Sequence, residues 1–168
     1  NWIGTGNEES PFSSFLVADI FASPGDTILI HDGTYFSRIV TQTDSITFAS
    51  LYLMDNDTSH ISATIIDGEL ERQVVQIDQS GVNLIGLTIQ NGRMQNYGGG
   101  IYIGNAADVS LDRLNILNNS TYGVSHRGGG ISSQNSPNLR VSNCLIQGNC
   151  SDIGGAIYSG YAGSIVAE

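Results

Sequence analysis

Hydrolysis of a glycosidic bond needs two carboxyl groups facing each other across about 5 to 9.5 Å, and the acids of this sequence are not spaced for it. Asp78 and Asp108 come nearest, on neighbouring repeats but at unmatched positions. Asp112 stands beside Arg113, but consecutive strand residues point to opposite faces unless a turn intervenes, so the pair reads as a solvated corner. His31, His60 and His126 lie far apart, without the spacing of a zinc pair. Asp55-Asn56-Asp57 offers alternating oxygens for calcium but lacks the glycine and closing glutamate of an EF-hand loop, and Met54 to His60 reads as a polar loop. The glycine triplets at 98–100 and 128–130 mimic phosphate loops, yet no lysine or helix follows, so they read as chain corners. The expectation is no catalytic residue, no metal and no cofactor.

Binding is better served. Tyr102 and Tyr158 fall at the same position of two repeats with Ser132 between them, and the adjoining variable segments carry Tyr97, Tyr122, Arg93 and Arg127. Aromatic faces beside hydrogen-bonding groups are what sugar rings stack on. The variable segments are Arg93 to Tyr97, Ser120 to Arg127 and Cys150 to Ile153. They leave the repeat between the same two strands, so they are expected to project as insertions from one side. The competing reading is that the tyrosines merely shield glycine-rich corners.

The elements that position these residues are repeats. Val82 to Asn91, Val109 to Asn118 and Leu139 to Gly148 superimpose without gaps at offsets of 27 and 30. A second set keeps step: Gly99 to Ile103, Gly129 to Ser133 and Gly155 to Ser159, with Val75-Gln76-Ile77 as a glycine-free copy. Apolar residues recur at every second position, the period of a strand. Each repeat therefore holds at least two strands, none longer than about five residues. Such strands bury their apolar sides only by stacking coil on coil. Leu87, Leu114 and Cys144, and likewise Ile89, Ile116 and Ile146, are expected to form interior columns. Asn91-Gly92, Asn118-Asn119 and Gly148-Asn149 recur at one corner, where amide ladders are possible. Ahead of the coils, residues 13–21 read as a short helix with a serine N-cap, ended by Ser23-Pro24-Gly25.

The expected fold is all-β, a right-handed parallel β-helix or solenoid with a short N-terminal capping helix. Residues 1–26 form the cap segment and 27–168 the coils. Gly163 to Glu168 begins another strand with no capping element after it.

Composition narrows the partners. Six basic residues, all arginine, against sixteen acids give a formal charge of -10, which disfavours nucleic acid and acidic membranes. No apolar run is long enough to insert into a bilayer. Charged residues make up only 13% of the chain, so Ser, Thr, Asn, Gln and Gly must build much of the wetted surface. Two cysteines, Cys144 and Cys150, allow at most one local bridge; the alternative is a small buried residue and a loop thiol.

Pro24-Gly25-Asp26-Thr27-Ile28-Leu29-Ile30 with Asp32-Gly33-Thr34-Tyr35 resembles the opening coil of bacterial pectin-lyase-like β-helix proteins. Gly-Gly-Ala-Ile at 154–157 and Ile-Leu-Asn-Asn at 116–119 are similar to repeats of polymorphic outer-membrane and secreted surface β-helices. The resemblance implies the scaffold, which carries lyases, hydrolases and adhesins alike. Lyases of that scaffold use stacked carboxylates for calcium, and no outward column here holds two acids. The expectation is a secreted or cell-surface module for adhesion, surface architecture or glycan binding, partnered by polysaccharide or another surface protein. A polysaccharide-degrading enzyme and a self-assembling subunit stacking through its C-terminal coil are the alternatives.

Overall fold

The computed structural model describes residues 4–136, 138–160 and 165–167, the last three as backbone. It is a parallel β-solenoid. Ser14 accepts a hydrogen bond from the Val17 N–H and opens helix α1 (Phe15–Phe21). The first coil is β1 (Thr27–Ile30), β2 (Gly33–Tyr35) and β3 (Ile39–Val40). The second is β4 (Thr47–Ser50), helices α2 (Tyr52–Asp55) and α3 (Ser59–Ala63), β5 (Thr64–Asp67) and β6 (Val75–Ile77). The third is β7 (Asn83–Ile85), β8 (Thr88–Gln90), β9 (Arg93–Tyr97) and β10 (Ile101–Ile103). The fourth repeats it as β11 (Ser110–Asp112), β12 (Asn115–Leu117), β13 (Ser120–Arg127) and β14 (Ile131–Gln134). A fifth contains β15 (Leu139–Ser142), β16 (Leu145–Gln147) and β17 (Ile157–Gly160), and β18 (Ile165–Ala167) pairs onto β15.

Every pairing between these strands is parallel and coil to coil, giving three long sheets and one short lateral sheet of β9 and β13. The register matches the sequence repeats: Ile89, Ile116 and Ile146 are neighbours, as are Ile101, Ile131 and Ile157. Leu87, Leu114, Ile89 and Ile116 are fully buried, while Cys144 and Ile146, in the last coil, are partly buried against the same core.

Corners turn on left-handed residues, which Gly and Asn adopt at least cost. Asn91 (φ 53°), Asn118 (φ 55°) and Gly148 (φ 70°) form one such column. Beside it runs an amide ladder. Asn119 is fully buried; its Oδ1 accepts the Gly92 N–H at 2.7 Å and its Nδ2 donates to the Ile89 carbonyl at 3.1 Å. Asn149 repeats the pattern one coil on, its Oδ1 taking the Asn119 N–H at 2.9 Å and its Nδ2 reaching the Ile116 carbonyl at 2.8 Å.

Some expectations are corrected and others hold. The segment read as a polar loop at 54–60 is helical at both ends, in α2 and α3, and remains a connection only over Asn56 to Thr58, where left-handed Asn56 ends one helix. The expectation of at least two strands per coil holds and resolves into three sheet strands, since the Val82 to Asn91 unit bends at Gly86 into β7 and β8. Strand β13 runs eight residues, longer than any expected, because it is bulged between Tyr122 and Arg127. Cys144 and Cys150 are both free, in line with the reading of a buried residue and a loop thiol, the first half-buried and the second exposed. The helix α1 seats Phe15, Ala18 and Asp19 against the first coil, with Asp19 Oδ2 accepting the Gln42 N–H at 2.6 Å. It covers the coil only in part, leaving a cleft of about 900 Å³ lined by Phe12, Phe15, Ile28 and Met54 among others. Of the final expected strand, Gly163, Ser164 and Glu168 lie outside the described residues.

Candidate functional site

The site is built where the lateral sheet meets the sheet of β10, β14 and β17. Sequence reading took the segments at 93–97, 120–127 and 150–153 for insertions projecting as loops. They instead stack in parallel: Ser120 pairs with Arg93, Arg127 with Tyr97, and single bridges join Ser120 to Cys150 and Arg127 to Ile153. Backbone groups leaving one coil at matched points satisfy each other best by continuing the ladder. Glycine permits the close approach. A Cβ on Gly99 would run into the backbone of Ser120, and Gly98, Gly128 and Gly154 hold positive φ at the same corner.

These corners place all six candidate residues on one side. Tyr102, Ser132 and Tyr158 are successive rungs of one outward column. The Tyr97 ring lies 6.4 Å from that of Tyr102 at 42°. Burial pushes the Tyr102 phenol up from its ordinary value, with the Asp78 carboxylate and Tyr97 adding to it. The Arg127 guanidinium sits 5.0 Å from the centroid of Tyr158, and its Nη1 donates to the Tyr158 hydroxyl at 3.0 Å. Arg93 lies 5.0 Å from the centroid of Tyr122. Two arginine–tyrosine stacks and a tyrosine pair thus run along the solenoid, with Tyr97 and Tyr122 exposed. The tyrosines also shield corners, as the competing reading holds: the Tyr102 Cβ packs at Gly98 and that of Tyr158 at Gly154.

A histidine centre on the same side escaped the sequence. His126 Nδ1 accepts the Asp152 N–H at 3.1 Å, so the ring proton is on Nε2, which faces Asp152 Oδ1 at 3.1 Å. The Thr121 hydroxyl lies 3.0 Å from Nδ1, and Ser151 Oγ donates to the His126 carbonyl at 2.9 Å. These bonds clamp the bulged strand to segment 150–153. His126 and Asp152 align only once Arg127 pairs with Ile153, and the unequal lengths of the two segments hide that match.

Elsewhere the acids are engaged by neighbours. Asp112 and Arg113, read as a solvated corner pair, form an ion pair at 2.8 Å at a corner where Arg113 is left-handed (φ 53°) and turns the chain. Burial raises the Asp112 pKa, but bonds from Asn143, Ser142 and Arg113 outweigh it and hold the carboxyl below its ordinary value. Asp55 accepts the Asp57 N–H at 2.8 Å and faces His60 Nε2 at 3.1 Å, while His60 Nδ1 meets Asp32 at 2.7 Å. Hydrogen bonds to Asp32 raise the His60 pKa, burial opposes them, and Asp55 adds to the rise. Among the described residues no three His, Cys, Asp or Glu side chains gather as metal ligands would. Among them, too, no helix is long and apolar enough to cross a membrane.

No known protein family, curated protein or solved structure matches the chain.

Proposed function

We propose that this solenoid is a glycan-binding module of a secreted or cell-surface protein, without catalysis of its own, related to the pectin-lyase-like and surface β-helices that its repeats resemble. The observation that carries the reading is the axial run of Tyr97, Tyr102, Arg127 and Tyr158, with Arg93 on Tyr122 beside it. Tyrosine faces stack on the C–H faces of sugar rings, and phenol groups, with Arg93 beside them, bond their hydroxyls. Rungs of a parallel sheet are roughly 4.8 Å apart, so Tyr102 and Tyr158 stand at a spacing that suits a polymer lying along the axis. A surface poor in charge agrees with a life among polysaccharides, and a net charge of -10 favours uncharged ones.

The test is a glycan array with the soluble protein, followed by calorimetry on the best ligand. Tyr102→Ala and Tyr158→Ala should each weaken binding about tenfold, as loss of a stacked aromatic contact of about 1.4 kcal/mol does. Unchanged affinity in both moves the site elsewhere.

A second reading, end-to-end self-association, draws on a different observation. The interior columns lose their cover toward the C-terminal coil: Ile116 and Ile131 are fully buried, whereas Ile146 and Ile157 are only partly so. Among the described residues, strands β16 and β17 are the outer members of their sheets. Unpaired strand edges over an apolar layer invite another coil.

A further inference from the structure

We propose that Arg127 is a gate on the glycan face, holding the ring of Tyr158 in the free protein and leaving it when an uncharged pyranose ring binds over Ser132. This rests on the reading of the face as a glycan site. The column Tyr102, Ser132, Tyr158 places a small residue between two rings. Two parallel rungs span roughly 10 Å, so the serine makes a notch about as wide as a sugar ring. The notch is closed. Ser132 is 0% exposed, and Arg127, of the same coil, lies against Tyr158 with its guanidinium 5.0 Å from the ring centroid.

Two features mark the closed arrangement as one that a ligand can displace. The first is what holds Arg127. Arg72 and Arg113 each pair with a carboxylate, but among the described residues Arg127 makes no ion pair, in a chain with sixteen acids. Among the described residues its guanidinium meets the Tyr158 ring and hydroxyl alone. The second is what the closure leaves unsatisfied. Arg127 Nε and Ser132 Oγ are both buried without a hydrogen-bond partner, two donors stripped of water and given nothing in return.

Opening corrects both. Nε returns to solvent, the Ser132 hydroxyl meets a ring hydroxyl of the sugar, and the C–H face of that sugar takes the guanidinium's place on Tyr158. Arg127 therefore sets the threshold for binding. A ligand must stack well enough to displace a cation from an aromatic ring, so isolated alcohols and single hydroxylated side chains are turned away.

The experiment titrates the full chain with uncharged hexasaccharides of glucose, xylose, mannose and galactose. Arg127→Ala and the similarly sized Arg127→Met are compared with the parent and with Tyr158→Ala, and folding is checked by circular dichroism. Both Arg127 variants should bind about tenfold tighter, the factor by which a binding-competent state populated about one part in ten weakens apparent affinity. Nuclear magnetic resonance of the arginine side chains should show the Arg127 Nε proton slow to exchange in the free protein and fast once sugar is bound. Binding by the Arg127 variants alone supports the gate as well. If the parent binds and Tyr158→Ala weakens it, while the Arg127 variants bind equally or more weakly and the Nε proton stays protected, the gate is overturned and the glycan site stands. Sugars that bind neither the parent nor the Arg127 variants overturn both.

Discussion

Single side chains decide how one coil grips the next. Asn119 serves three backbone or side-chain partners from a fully buried position, and Asn149 hands the same function to the following coil. Asn119→Ala leaves the Gly92 N–H buried without a partner and takes one of two bonds from the Ile89 carbonyl, so it should cost about 1 to 3 kcal/mol for the stranded donor. Urea unfolding measures it, and a loss under about 0.5 kcal/mol would show that water replaces the ladder. His60 acts differently, because it is a titrating clasp between α3, Asp55 at the end of α2, and Asp32 between β1 and β2. Its pKa is raised above the ordinary 6.5. A raised histidine contributes its stabilisation in full below pH 6.5 and loses it as pH rises through the folded value. Amide exchange of Ser59 to Ala63 should therefore accelerate, beyond its intrinsic dependence on pH, across that interval. Asp32→Asn should flatten the effect, and a pH-independent protection factor in the parent chain would refute it.

Strands of three or four residues have no stability of their own, so each coil depends on the columns it shares. Leu114 sits between Leu87 and Cys144 in such a column and is 1% exposed. Leu114→Ala should destabilise the protein by about 2 to 5 kcal/mol through the cavity it leaves, read as a shift of the urea midpoint at unchanged slope. The strand alternation that locates this column is plain in the sequence, because period two is written in residue types. The lateral sheet is not. Arg93 to Tyr97 is exposed throughout and has no apolar alternation, so nothing in its composition marks it as a strand. It is one because its backbone continues the stacking of the coil beneath it.

The two ends of the solenoid differ. Helix α1 packs Phe15 and Ala18 over the first coil, while at the other end Ile146 and Ile157 are incompletely covered. On the self-association reading, sedimentation velocity over a hundredfold concentration range should show a weight-average mass that climbs with concentration. Leu145→Lys, on the outer strand β16, should reverse it by placing charge along the edge. A constant 17.8 kDa monomer at the highest concentration counts against stacking.

What the sequence determined alone was the fold and its register, since the gapless repeats align the same residues that pair in the structure: Leu111 with Leu84 and Val141, Ile101 with Val75 and Ile131. It also brought Tyr102 and Tyr158 into one column, because a repeat position is a spatial position in a solenoid. Only the tertiary structure decided how the variable segments lie, and with them the site. The stacking of Arg127 on Tyr158, of Arg93 on Tyr122, and the clamp of Asp152 on His126 join residues of unequal segments whose alignment is set by backbone pairing rather than by pattern. Asp112 and Arg113 make the same point at a single bond: whether neighbours face apart or together was settled by one left-handed φ, which residue type alone does not announce for an arginine.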